Sequence, residues 1–264
     1  MDVILSCTWK FPEEVERFLR SWPRLQEAYS GIALALPPEA DAGQMLRLQD
    51  LLGRALIVPL DWAHRQHAAL QKALEMPGSH LHHAALEVLL PWVERHPEEW
   101  RKTLEEIPKA DCLIIGRSRR AWATYPLSVQ ETERSVNNIF SSLLGKPVDL
   151  GGGMRGFSRP AALFLLAHSP PGHAPVEAEW PVLLWRAGFA VDGLALDGLE
   201  WGDFADEESR REASERYDRD LGNWLRRAKA ALEVIQAGLE ATRREVPRRD
   251  QGQPNSSTGM HAPG

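Results

Sequence analysis

Val3-Ile-Leu-Ser-Cys7 is a short, uncharged, mostly apolar run that stops at Thr8-Trp-Lys-Phe-Pro12 and gives way to a helical pattern over Glu13–Trp22. The succession recurs. Gly31–Leu36, Ala55–Leu60, Leu81–Leu86 and Cys112–Ile115 are apolar or mixed runs bounded by polar residues, Pro or Gly. Between them lie Gln44–Leu52, Ala63–Glu75 and Glu87–Glu106. Their apolar residues recur at intervals of three and four, as do Phe18, Leu19 and Trp22, or Leu70, Ala73 and Leu74, which is the signature of one buried helical face. Short strands alternating with helices predict an α/β fold, a mostly parallel central sheet flanked by helices. Ligands of such sheets bind beyond the C-terminal ends of the strands. That rule singles out Thr8, Pro37–Glu39, Asp61–Arg65 and Arg117–Arg120.

Working outward, Leu127–Leu144 reads as a helix stopped by Gly145, with Lys146-Pro147 sealing the stop. A glycine-rich loop, Leu150–Pro160, follows. Pro160–Ala167 and Trp180–Ala187 read as helices and Phe189–Leu196 as a strand. Asp206–Thr242 reads as one long charged helix. Its stripe of Leu221, Trp224, Leu225, Ala228, Leu232, Ile235 and Leu239 is expected to pack across its own domain, with a homodimer through the helix as the alternative. Glu245–Gly264 has no periodicity and is expected to be disordered. The division expected is therefore 1–205 for the α/β domain, 206–244 for the helix and 245–264 for the tail.

Composition bounds the function. The 264 residues are 43% hydrophobic and 26% charged, an ordinary globular balance, and carry a formal net charge of −6. That argues against broad nucleic-acid binding. Two cysteines, Cys7 and Cys112, make no disulfide framework and suit a reducing compartment. No apolar run is long enough to span a membrane, and Met1–Glu14 has no basic leader. A cytoplasmic location is expected. GxxxxGK[ST], GxGxxG after a strand, GxSxG and CxxC are all absent, which weakens kinase, P-loop, Rossmann dehydrogenase and α/β-hydrolase readings.

Three groups of residues could carry chemistry. Five of the nine histidines, His64, His67, His80, His82 and His83, fall within twenty residues. Metal ligation is one reading and hydrogen-bonded histidines at a sheet edge the other, since no tight ligand pattern favours the first. Glu177 and Glu179 precede an apolar helix, where either could favour the helix N-terminus or act as a general base on a hydroxyl acceptor. Arg117, Arg119 and Arg120 follow a central strand, where they could meet a diphosphate or form a solvated loop. Arg155, in the glycine loop, could fork onto phosphate or carboxylate.

In this order the pieces resemble the nucleotide-diphospho-sugar transferases of the GT-A fold, particularly family-2-like glycosyltransferases. Val3–Trp9 looks like the first nucleotide strand and His64–Leu74 like the helix preceding the metal strand. Gly151–Arg159 resembles the "GG…R.FSR" acceptor segment, and Glu177–Pro181 stands where the catalytic carboxylate would be. The resemblance covers roughly residues 1–203. It implies a nucleotide-diphospho-sugar donor and a hydroxyl acceptor, with Thr8, Glu39 and Asp61 near the nucleoside and Arg65, His83 and Arg117 near the diphosphate. It further implies Arg155, Gly152 and Trp180 at the acceptor, and Glu177 or Glu179 as base. The family's Asp-x-Asp motif holds a divalent metal, Mg²⁺ or Mn²⁺; this chain reads Ala85-Leu86-Glu87 there, leaving Glu87 alone as a metal ligand. Two functions follow: a glycosyltransferase, or a catalytically degenerate scaffold that binds a ligand or protein partner without turnover.

Overall fold

The computed structural model describes residues 2–10, 15–172 and 175–249. Seven strands form one sheet: β1 (Val3–Thr8), β2 (Gly31–Ala35), β3 (Leu56–Ile57), β4 (His80–Ala85), β5 (Cys112–Arg117), β6 (Met154–Ser158) and β7 (Val191–Leu196). Their order is β3-β2-β1-β4-β6-β5-β7. All pair in parallel except β6, which runs against both β4 and β5. The chain lays down β1, β2 and β3 outward in one direction and then returns to place β4 on the other side of β1. The reversal puts a topological switch point between β1 and β4, where Thr8 pairs with Ala85.

Every residue of β1 is buried, and its alternation divides the interior into two layers. Val3, Leu5 and Cys7 face one core, with Phe18 and Leu25 of α1 (Val15–Ala28), Leu48 of α2 (Ala42–Leu52), Leu89 and Trp92 of α4 (Leu86–Arg95) and Trp100 of α5 (Pro97–Glu106). Ile4 faces the other, with Leu70 of α3 (Arg65–Leu74), Phe140 of α7 (Leu127–Leu144), Leu165 of α8 (Arg159–His168) and Trp180 of α9 (Val176–Arg186). The four-residue α6 (Arg119–Trp122) follows β5, and α10 (Glu207–Arg219) and α11 (Leu221–Arg243) close the described chain. No helix among the described residues is long and apolar enough to cross a membrane.

Several elements differ from the sequence reading, each for a local reason. Of Ala55–Leu60 only Leu56 and Ile57 pair. The segment Glu87–Glu106 is two helices, because Pro97 cannot continue the first and starts the second. Asp206–Thr242 also breaks, at Asp220, whose side chain accepts from the Gly222 N–H and caps α11. β6 falls inside the expected glycine loop, where an internal Arg and Gly hide the strand pattern. Residues 245–249 are tied down: the Arg249 N–H donates to the Ala187 carbonyl, and its guanidinium pairs with Asp111 at 2.9 Å. The rest of the expected disordered tail, 250–264, lies outside the described residues.

α11 also packs on a different face from the one expected. Ala237, Gly238 and Ala241 are buried, whereas Leu221, Leu225, Leu232 and Leu239 are exposed. A Cβ on Gly238 would stand 2.2 Å from the Phe140 ring. The small residues let the helix lie close on α7 and α9.

Candidate active site

The six parallel strands end on one side of the sheet, and because β6 is reversed its glycine-rich approach, Leu150–Gly153, arrives at that same side. A cavity of about 490 Å³ opens there. Arg65 and Gln66 line it from the start of α3, Glu133 and Asn137 from α7, and Gly151 and Gly153 from the loop. Glu177 lines it from the first turn of α9, and Arg227 and Val234 from α11. The C-terminal helix α11 thus forms one wall of the cavity. The switch point adjoins it: a Cβ on Gly153 would touch Val88, one residue beyond Glu87.

Arg65 is the cation the α3 wall contributes. Its guanidinium bonds the Trp62 carbonyl at 3.1 Å and lies 5.1 Å from the Trp62 ring centroid. The next side chain, Gln66, is fixed from below. Nε2 of His83 donates to Gln66 Oε1 at 2.6 Å, while the Ser6 hydroxyl donates to His83 Nδ1 at 3.0 Å. Burial, reinforced by the charges of Arg155 and Arg65, pushes His83 down to about 3, so it is neutral. His83 is therefore a buried positioning residue beneath Gln66 and not a diphosphate contact as expected.

Arg117 is likewise turned away from that expected role. Its guanidinium is buried, forks onto Asp149 at 2.7 and 2.8 Å, and pairs with Glu133 at 2.5 Å. Trp122 and Tyr125 stand over it at 4.3 and 4.4 Å. Burial lowers the Arg117 pKa, but the carboxylates of Asp149 and Glu133 outweigh it and hold the charge firmly on. What this pair builds is the floor of the cavity. Asp149 accepts from the Gly151 N–H and from Asn137 Nδ2, and the Leu150 N–H donates to Asn137 Oδ1. Arg120 pairs with Asp197 and Glu200, both outside the cavity lining.

The three expected acceptor contacts are all interior. Gly152 is buried on β5, and a Cβ there would meet the Ile115 carbonyl oxygen at 2.3 Å. Gly152→Ala is expected to destabilise by about 1–3 kcal/mol through overpacking; chemical denaturation measures it, and an unchanged midpoint would refute the close approach. Trp180 is 1% exposed, packed on His67, His83 and Phe157, with its indole N–H on the Ser169 hydroxyl. Arg155 lies within β6, not in a loop. Its guanidinium bonds only backbone carbonyls, those of Met154, Leu150 and Glu177, and burial lowers its pKa. Two of those carbonyls belong to cavity residues, so Arg155 ties the glycine loop to the start of α9.

The two candidate bases separate cleanly. Glu179 is 2% exposed, accepts from Ser169 at 2.8 Å and pairs with Arg244 at 2.5 Å. It is a buried structural ion pair. Glu177 is half-buried in the cavity wall, and its carboxylate takes no hydrogen bond or ion pair among the described residues.

The remaining strand-end residues, Thr8, Glu39, Asp61 and Glu87, are not among those lining the cavity. Thr8 is buried at the end of β1, Glu39 is exposed after β2, and Asp61 caps the turn into α3 by accepting from the Ala63 N–H. Glu87 opens α4. Partial burial raises its carboxyl above the usual range, against the pull of its own and the Lys10 backbone N–H and of the charges on Lys10 and Arg65. A divalent cation needs several oxygen ligands. Here one carboxylate stands among two cationic side chains, and no group of three His, Cys, Asp or Glu among the described residues could hold a metal. The donor set does not fit a metal ion, and the histidines serve hydrogen bonds: His82 with Tyr29 and His67 with Ser169.

Sequence reasoning missed Gln66, Asn137 and Asp149. The spacing of four between Glu133 and Asn137, on the face that meets the glycine run, was the available signal. Nothing local marks Arg227, which reaches the cavity only because α11 folds back.

No family model and no curated protein matches the chain. Solved structures do. That of glucosyl-3-phosphoglycerate synthase from Mycobacterium tuberculosis with Mn²⁺, uridine-diphosphate-glucose and phosphoglyceric acid superposes with a TM-score of 0.57 at 14% identity, covering 95% of this chain and 81% of that one. Its complex with Mn²⁺, uridine-diphosphate and phosphoglyceric acid gives 0.56 at 13%, covering 98% and 81%. At this identity the likeness shows the fold, a GT-A type α/β fold that in this chain includes a long C-terminal helix.

Proposed function

We propose that this protein is a glycosyltransferase moving a sugar from a nucleoside-diphosphate donor to a hydroxyl acceptor. The observation carrying this reading is the Glu177 carboxylate, without a partner among the described residues, in the wall of a strand-end cavity that Arg65 also lines. The structural neighbours bind a nucleotide sugar at the same fold, which favours that donor class. In the reaction the acceptor hydroxyl gives its proton to Glu177 as its oxygen bonds the anomeric carbon. The bond from that carbon to the phosphate oxygen breaks, and its electron pair leaves on the diphosphate. Negative charge grows on the leaving group, so a fixed cation there gives the largest electrostatic gain. Arg65 fills this role, since Arg117 is held by carboxylates and His83 is neutral. The neighbours hold Mn²⁺; with Ala85 and a lone Glu87 at the switch point, this chain works without a metal.

The experiment is a thermal-shift panel of UDP-, GDP-, ADP- and dTDP-sugars, each with EDTA, Mg²⁺ or Mn²⁺. A donor at a hundred times its Kd adds about 2.7 kcal/mol of apparent stability. One nucleotide series is expected to stabilise equally in EDTA and in metal. No shift with any donor would overturn the function, and a shift requiring metal would overturn the role of Arg65. Arg65→Gln is expected to weaken donor binding roughly ten- to hundredfold, the loss of a charge-assisted hydrogen bond; unchanged affinity would remove it from the diphosphate site.

A further inference from the structure

α11 buries its small-residue face and presents its leucines to solvent. Leu221, Leu225, Leu232 and Leu239 are 80%, 57%, 54% and 47% exposed. Leu225, Leu232 and Leu239 recur every seven residues, a spacing that keeps one narrow edge in line along a helix. Four leucines at these exposures offer on the order of 400 Å² of apolar surface, as large as the largest patch of an ordinary monomer. One side of the edge is charged in halves. Arg226 and Lys229 stand in the N-terminal half and Glu233 and Glu240 in the C-terminal half, all exposed. None of these four makes an ion pair among the described residues.

We infer that the occupant of this edge is a second copy of the same chain, lying antiparallel across Leu232. A two-fold axis through Leu232 sets Leu225 of each copy against Leu239 of the other. The same operation keeps the charged flank on the same side and reverses its direction, so each basic half meets an acidic half. Parallel pairing would set Leu225 on Leu225 and lose this match. The pattern is thus complementary to itself in one orientation, as an isologous dimer requires. Doubled across the axis and extended by the charged flanks, the leucine surface approaches the ~1,200 Å² of a stable interface. The chain's own residues 250–264 offer one large apolar side chain, Met260, and do not match four leucines. Arg227, Ala230, Ala231 and Val234 line the cavity from the faces of α11 turned away from the leucines, and Glu233 of the charged flank lines it too, so the pairing borders the cavity wall. This inference does not depend on the reaction proposed above.

Sedimentation velocity of the full chain tests it. The wild type is expected to be a dimer dissociating on dilution, and Leu232→Arg a folded monomer, since the side chain is exposed. Arg226→Glu with Lys229→Glu, or Glu233→Lys with Glu240→Lys, should each weaken the dimer at least tenfold, and the four together should restore it. Orientation is read by disulfide trapping. Leu232→Cys should cross-link to itself, and Leu225→Cys should cross-link to Leu239→Cys when the two are mixed, but not to itself. Cys7 and Cys112 are buried and stay out of the assay. A wild type monomeric throughout, a Leu232→Arg dimer of unchanged affinity, or self-cross-linking of Leu225→Cys would each overturn the inference.

Discussion

Glutamine in place of Glu177 is expected to cut kcat for sugar transfer by about 10²- to 10⁴-fold, the usual worth of a positioned general base, while leaving the donor-induced thermal shift intact. The exchange keeps size and hydrogen-bonding capacity and removes only the ability to take a proton. The Glu177 backbone carbonyl, which Arg155 holds at 3.2 Å, is untouched, so α9 keeps its place. Glu179→Gln is the contrast. It leaves Arg244 facing a neutral partner beside a nearly closed interior, and should lower stability with little effect on kcat in the surviving fold. Single-turnover kinetics with the donor identified by thermal shift separate the two. Equal turnover in Glu177→Gln would remove it from the mechanism. A wild type that binds donor and never turns it over would establish the scaffold reading in place of the enzyme.

The fold was legible where its strands are continuous apolar runs, and β6, with its internal Arg and Gly, was not. Val3–Thr8 and Cys112–Arg117 are buried along their whole length, which only a sheet covered on both faces allows. The strand-end rule singled out Arg65, and a place ahead of an apolar helix singled out Glu177; both line the cavity. What local pattern could not show was which charged residue is free. Arg117, Arg155 and Glu179 look like surface chemistry in the sequence; each is interior, and each is held by partners that include one distant in the chain: Asp149, Glu177 and Arg244. Glycines mislead for a related reason. Gly153 has φ 72°, the backbone freedom expected of a loop, but Gly152 is there because the Ile115 carbonyl leaves no room for a side chain. The leucines of α11 mislead in the opposite sense. A heptad of large residues is the usual core signal, and here Ala237, Gly238 and Ala241 form the buried face, because a close crossing over Phe140 admits only small side chains.

Lowering the pH from 7 to 5 is expected to remove about 4 kcal/mol of stability, and the cause is the adjacent pair His82 and His83. Both are fully buried in β4 and both are pushed by burial from 6.5 down to about 3. In the hydrogen-bond chain around His82, the Trp100 indole N–H donates to the Tyr29 oxygen and the Tyr29 hydroxyl donates to His82 Nδ1 at 2.7 Å. His82 Nε2 has no partner, so no carboxylate waits for a proton on either nitrogen. His83 is bonded at both nitrogens as a neutral ring. The sign follows. A histidine whose folded pKa is depressed is neutral in both states above pH 6.5, and there its contribution to stability is complete. As the pH falls below 6.5 the unfolded chain takes up protons that the folded chain refuses, so stability drops until the folded pKa near 3 is reached. Each ring loses about 1.4 kcal/mol per pH unit in that window, and two rings over 1.5 units lose about 4. That is a large part of the 5–15 kcal/mol typical of a domain. Denaturant titrations at closely spaced pH values measure the slope, about 2.7 kcal/mol per unit for the pair and half of it in His82→Gln or His83→Gln. A wild-type stability that stays flat between pH 6.5 and 5 would show that both rings accept a proton in the folded state. That result would in turn undo the assignment of His83 as the neutral support of Gln66 and return it to the cations near the cavity.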